Sequence, residues 1–414
     1  MKKVIAKILI LICMSCMLSG CGPKKKDVVE ITMIHGWGST ESDHMVMRQI
    51  YEDFEAAYPE IHLNMVAMPS STDVISKVGD LLTVGEIPDI VFTGGDGRES
   101  IYSFMVEKGY AVDIMPYIRE DESFAKNISP VILDNWTTET GNLYTVSDVL
   151  LMGGYWYNED IFRRAGITKA PETWEEWLEA CEKIKNLDGK TVPVILDANH
   201  MAYLMTTILA DENLAELENI RNSKINVNSP TFDKMLGQLR EISEYAALAG
   251  NYNYRDTLAS FNAGESAIYI NGVWANSMID SEIQVSYAPF PSNDGKGIAT
   301  KSACVGYILG NTEDEERIEA SIKFLKYMLS EEVAERILKE TGQVPSNPNV
   351  KITEDNGGAR LHQAVTCVEN AGLIIETPEN LWDLSEKKEY GENVILYLQN
   401  RIKESEFRKR LSWM

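Results

Sequence analysis

The period of the apolar positions changes in a regular alternation along the first hundred residues. Val28–Ile34 is a strand-like run that ends at His35-Gly36-Trp37-Gly38. From Ser39 to Tyr58 the period lengthens, with Met47, Ile50, Tyr51, Phe54 and Tyr58 recurring at near-helical spacing until Pro59 stops them. Ile61, Leu63 and Met65 alternate as a second strand. Val74–Val84 is helical and ends at Gly85, and Asp89–Phe92 is a third strand that runs into Thr93-Gly94-Gly95-Asp96-Gly97. Such alternation predicts a parallel sheet covered by helices. Ligands of these sheets bind at the carboxyl ends of strands, which puts His35–Ser39 and Thr93–Arg98 on the binding edge.

The middle of the chain repeats the alternation and predicts a second α/β domain. Gly141–Asn158 has strand character, broken at Ser147-Asp148 and again at Gly153-Gly154. Thr173 and Glu176 form a capping-box pattern, and Trp174, Trp177, Leu178, Cys181 and Ile184 then make one apolar stripe that reads as core. Val192–Leu196 is a strand with Asp197–His200 at its end, and 202–210, 231–249 and 254–261 are helical. Ala267–Ile270 is a short strand that stops at Asn271-Gly272, with Trp274 just beyond. Locally, Trp274 reads either as a cleft wall or as a core ring pinning the next element. After Pro291, Ser292–Gly297 is a polar turn that lacks the alternating acids of a calcium loop. Val305–Leu309 is a strand, Glu313–Leu329 and Glu331–Lys339 are helices, Thr341–Pro345 is a bend, and the chain ends in helices including Glu392–Arg408.

Charge and cysteines narrow the possible functions. The 414 residues carry a net charge of −24. This argues against nucleic acid, whose binding depends on neutralising phosphates, and against an anionic substrate. The start has Lys2 and Lys3, then an uncharged apolar run of eleven residues, Ile8–Leu18, too short to span a bilayer and suited to a signal peptide. Leu18-Ser19-Gly20-Cys21 resembles the lipobox of bacterial lipoproteins. That resemblance implies cleavage before Cys21 and its acylation, palmitate included, with residues 1–20 removed and 21–27 left as a lipidated tether. Losing Lys2, Lys3 and Lys7 takes the net charge to −27. Cys181, Cys304 and Cys367 then remain, scattered and odd in number, neither a disulfide framework nor a zinc set. The Gly94–Gly97 cluster is neither a P-loop nor G-x-G-x-x-G. Asp96 is either a turn aspartate or an acceptor for hydroxyls. No cofactor or metal is expected. About 390 residues exceed what one core usually supports, so two domains are expected.

Several segments, in this order and spacing, resemble the extracellular solute-binding proteins of the maltose-binding type (family 1), the receptors of carbohydrate ABC importers. They are Gly85–Ile90, Gly141–Tyr144, Tyr157-Asn158 through Pro171–Trp174, Phe261–Ala267 through Gly272–Trp274, Val285–Pro291, the Lys323–Leu329 helix and Gly342–Ser346. The resemblance implies a periplasmic-binding-protein-like type II fold, two α/β lobes with ligand between them. It implies crossings near Tyr144–Val149, Val285–Pro289 and Leu329. Lobe 1 would then hold 28–147 plus 286–328, and lobe 2 would hold 148–285 plus 329–414. By the same resemblance Trp274 stacks on sugar, Asp96 binds hydroxyls, and Trp382 is a late aromatic contact. Trp37, His35 and Asp148 lie on contact loops, and Asn199 and His200 match one loosely. Ser147 stands where many members have proline, and Gly153-Gly154 departs from the usual continuous strand. The implied partners are a carbohydrate, permease subunits and, through Cys21, a membrane. The receptor would be a monomer on the outer face of a Gram-positive cell membrane. Two other readings stay open, the same fold holding a polyol phosphate, peptide or polyamine, and a secreted glycoside hydrolase pairing Asp96 with Asp148.

Overall fold

The opening strands build one sheet. In the computed structural model, which describes residues 28–93, 100–248, 254–382 and 384–411, β1 (Val29–His35) lies in parallel between β2 (Ile61–Ala67) and β3 (Ile90–Phe92). The fourth strand, β10 (Tyr307–Leu309), returns from far down the chain and pairs antiparallel with β3. Helix Ser42–Ala57 buries Met47, Ile50, Tyr51 and Phe54, the residues whose spacing predicts it. These pack with Phe324 and Leu325 of helix Glu315–Met328 in the core of this first lobe.

The second lobe is built on a larger sheet of order β11 (Leu373–Ile375), β9 (Ile298–Ala303), β4 (Leu150–Asn158), β7 (Ser266–Gly272), β5 (Val192–Leu196) and β6 (Ala246–Leu248), with β8 (Val285–Ala288) also on β4. One large core contains Trp177 and helix Ala198–Glu212, and another contains Trp156 and helix Glu354–Glu369. Trp177 is fully buried, as its stripe predicts, whereas Trp174 is half-buried and donates its indole N–H to Glu241.

Several expectations change. β8 and β9 pair with β4, Tyr155 opposite Ala288 and Gly153 opposite Thr300, so 286–303 belongs to the second sheet and the return to the first comes after Ala303. Helix Glu331–Thr341 still serves the first lobe, where Val333 and Ile337 join its core and Arg336 pairs with Asp53 at 2.8 Å. The last crossing therefore follows Thr341 rather than Leu329. β4 is unbroken, because Gly153 and Gly154 stay extended. A Cβ at Gly153 would lie 2.5 Å from the Tyr203 ring, and one at Gly154 would lie 3.0 Å from that of Tyr287. The end of the expected 231–249 helix is β6, and the expected 392–408 helix is two, Leu384–Leu398 and Glu404–Leu411, separated by Asn400 at φ 58°.

The three crossings are knitted together. Ser346 donates from its backbone to Asp148 O at 2.8 Å and from its hydroxyl to Ser147 O at 2.6 Å. Leu150 N donates to Val344 O, and Gly306 N donates to the Thr145 hydroxyl. Gly306 is obligatory by contact, since a Cβ there would sit 2.0 Å from Val146 O. Ala303 O accepts from Trp136 of the first lobe and from Asn380 of the second, each at 2.8 Å.

Candidate functional site

The strand ends of both sheets meet in a cleft between the lobes. The first lobe supplies Trp37 after β1, Asp43 at the start of helix Ser42–Ala57, and Phe92 at the end of β3. The crossings supply Val149 and Gln343, and the start of β4 supplies Leu151. The second lobe supplies Trp274, Ser277 and Met278 from the turn after β7, and Glu379 from helix Pro378–Leu381. These residues enclose about 260 Å³. A wider cavity of about 680 Å³ shares Asp43, Ser277 and Met278 and extends toward Glu41, Arg255 and Leu258. An exposed ion pair, Arg255 to Glu41 at 2.7 Å, spans the mouth from lobe to lobe.

Trp274 owes its pose to the glycine two residues before it. A Cβ on Gly272 would fall 1.9 Å from the Trp274 ring, so the indole lies against the bare α-carbon. The ring is partly exposed, and its centroid is 6.3 Å from that of Tyr203. Gly272→Ala therefore swings Trp274 out of the cleft wall. We expect it to lower ligand affinity nearly as far as removal of the ring does, with the melting temperature lowered by the overpacking, a cost of about 1–3 kcal/mol. Ligand titration and thermal melting of that variant check this, and native affinity would disprove the seating.

Trp37 is the opposing aromatic. It is 7 % exposed, lies 5.4 Å from Phe92 and 4.8 Å from His44 between ring centroids, and donates its indole N–H to Tyr51 at 3.1 Å. Glu379 was not among the residues singled out from sequence. Its carboxylate accepts from Tyr203 Oη at 2.7 Å and from Lys387 Nζ at 3.0 Å. Burial pushes its pKa up, but Lys387 and the Tyr203 hydroxyl outweigh this and the net shift is downward, keeping it ionised. The one local signal was an acid directly after Pro378 at a helix start, too common to mark a site.

The other expected contacts lie elsewhere. His35 is fully buried, and its Nδ1 accepts from Trp37 N at 3.2 Å. Burial, helped by Arg48 and His44, pulls its pKa down to about 4, so it stays neutral and supports the Trp37 loop from beneath. Asp148 is 3 % exposed inside the hinge, with Oδ2 accepting from Tyr307 Oη at 2.7 Å, which removes it from the contact set. Burial raises its pKa to about 6. Trp382 is a core ring of the second lobe, packed 4.7 Å from Tyr390 and donating to Thr206 Oγ1 at 2.9 Å. His200 is buried with Nδ1 2.7 Å from Asp197 Oδ2, while its backbone N–H donates to Asp197 Oδ1 at 2.9 Å and so caps helix Ala198–Glu212. Asn199 lies in that helix, and its side chain is outside the described residues. Asp96, with Arg98 beside it, and Cys21 also fall outside them.

Two α/β lobes, three hinge crossings and a cleft lined by aromatic and acidic side chains from both sides define a hinged receptor for a small solute. The chain belongs to the bacterial extracellular solute-binding protein family, whose profile matches residues 39–335. It is 23% identical over 331 residues to the multiple sugar-binding protein of Streptococcus mutans, covering 76% of this chain and 74% of that one. A Streptococcus pneumoniae solute-binding protein, solved in complex with the blood group A-trisaccharide, superposes with a TM-score of 0.76 at 23% identity, covering 92% and 98% of the two chains. A chitin oligosaccharide binding protein superposes with a TM-score of 0.78 at 18% identity, covering 94% and 98%. Membership places the protein outside the cytoplasm as the receptor of an ABC importer. Among the described residues no helix is long and apolar enough to cross a membrane.

Proposed function

We propose that the cleft captures a sugar or oligosaccharide and that closure of the lobes presents it to an importer's permease. The observation that carries this is the pair Trp37 and Trp274, which line one cavity from opposite lobes together with Asp43 and Glu379. Sugars offer apolar C–H faces to aromatic rings and hydroxyl rims to carboxylates. Relatives and structural neighbours named for sugars support the same reading. The hinge lets the lobes close because the closed state makes contacts with ligand that the open state cannot. The test is intrinsic tryptophan fluorescence and thermal melting against chitotriose, xylotriose, maltotriose and a blood-group trisaccharide. A binder present at a hundred times its Kd stabilises the protein by about 2.7 kcal/mol. No shift with any glycan sinks the carbohydrate assignment and favours a non-sugar solute.

The protein releases its ligand unchanged. Asp148, half of the carboxylate pair considered for a hydrolase, is buried and engaged by Tyr307, which supports a binding role. Residues 1–20 serve as a lipoprotein signal, and an acylated Cys21 tethers a monomer to the membrane of a Gram-positive cell. Lys24, Lys25 and Lys26 add attraction to anionic headgroups. Cys21→Ala should move the protein from the membrane fraction to the medium, and retention would refute the anchor.

A further inference from the structure

We propose that Asp148 is a positioning residue for ligand binding, holding the cleft-wall ring of Trp37 from inside the hinge through Tyr307 and Tyr51. Only its bearing on affinity rests on the sugar reading above. Trp37 Nε1 donates to Tyr51 Oη at 3.1 Å, the Tyr51 and Tyr307 hydroxyls are 3.1 Å apart, and Tyr307 Oη donates to Asp148 Oδ2 at 2.7 Å. All four side chains are buried.

The direction of this chain is set at both ends. An indole N–H can only donate and an ionised carboxylate can only accept, so both tyrosines must donate toward Asp148. Three links then use three donors. Protonation of Asp148 turns the charged terminal acceptor into a neutral acid, and the Tyr307 bond loses its charge assistance. The new O–H either displaces the Tyr307 bond or points from Oδ1, which has no hydrogen-bond partner among the described residues. The chain is therefore tightest with Asp148 ionised, while burial favours the neutral acid.

The groups that meet Asp148 come from each element packed on it. They are Tyr307 from β10, Tyr51 through Tyr307 from helix Ser42–Ala57, and, from its own segment, the amides of Asp148 and Val149, which favour the charge. Ser346 reaches its backbone oxygen from the third crossing. His35, 5.4 Å from the Tyr51 ring, is neutral, and among the described residues no cation contributes to holding the Asp148 charge. An acid raised in the folded state loses its charge earlier on acidification. Asp148 thus becomes neutral as pH falls through about 6. The Trp37 link loosens in that window, where an ordinary aspartate would still be ionised.

The indole N–H resonance of Trp37 in the unliganded full chain reads this directly, assigned by its loss in Trp37→Phe. His44 touches the Trp37 ring and also titrates in acid, so the titration is run in a His44→Gln background. The resonance should move with a midpoint near pH 6 and be flat in the Asp148→Asn and Tyr307→Phe variants. A flat native titration, or one that survives both substitutions, overturns the proposal. The two substitutions are independent, so misfolding of one leaves the other to decide. A second arm measures Kd for maltotriose, chitotriose and xylotriose at pH 7.5 and 5. For any that bind, affinity should fall about threefold or more in acid, and Tyr307→Phe should abolish that dependence. Binding that ignores pH while the resonance titrates also overturns it. If none binds, the carbohydrate reading fails, and the resonance still decides whether Asp148 holds Trp37.

Discussion

Trp274→Ala should weaken sugar binding at least tenfold while leaving the protein folded. A tenfold loss corresponds to about 1.4 kcal/mol, within reach of one stacked ring removed from a cleft. The fold should tolerate it because the ring is partly exposed and lies at the edge of the second lobe's core, packed on Tyr203 and on the Gly272 backbone. Titration calorimetry and circular dichroism melting of the same variant separate the two effects. A folded variant with native affinity would falsify the stacking role. Loss of fold would instead return Trp274 to the core.

The larger stability effect is expected at Lys387. Its side chain is 9 % exposed and Glu379, 3.0 Å away, is 14 % exposed, so the pair is largely out of water. Lys387→Met leaves the Glu379 carboxylate in that place without its cation, held by the Tyr203 hydroxyl and its own backbone amide, so that it either stays charged at a cost or takes up a proton. Breaking a buried pair in this way costs about 3–5 kcal/mol. Glu379→Gln added to Lys387→Met removes the stranded charge and should recover most of the loss, because a neutral amide can still accept from Tyr203. Denaturant unfolding of the native, single and double variants gives the cycle. Equal losses in the single and double variants would mean that the pair itself does not matter. The double variant should still bind sugar poorly, since Glu379 lines the cleft.

The lobes were legible where the signal is local. The helix face of Met47, Ile50, Tyr51 and Phe54 follows from spacing alone, and so does the Trp177 stripe. Trp37 and Trp274 were singled out because each lies just past a strand end, where the family resemblance implies contacts, and both line the cavity. β9 escaped because Ile298–Ala303 mixes small, polar and charged residues and becomes a strand only between β4 and β11. His35, Asp148 and Trp382 were misplaced for a shared reason. Each is polar or aromatic at the right strand end or loop, and each is buried by partners that no local pattern reveals, Tyr307 for Asp148 and Thr206 with Tyr390 for Trp382. Glu379 is the converse case, an ordinary surface-looking acid that tertiary structure carries into the cleft.

The Arg255–Glu41 pair across the mouth has a consequence for the idle receptor. Its side chains are 78% and 52% exposed. Such a pair is worth about 1 kcal/mol at most, which biases an open–closed equilibrium by roughly fivefold. That is too little to hold an empty cleft shut against thermal opening, and physiological salt weakens it further. On the sugar reading, ligand contacts in the cleft should then shift closure further than this pair can, which makes occupancy the stronger signal to the importer.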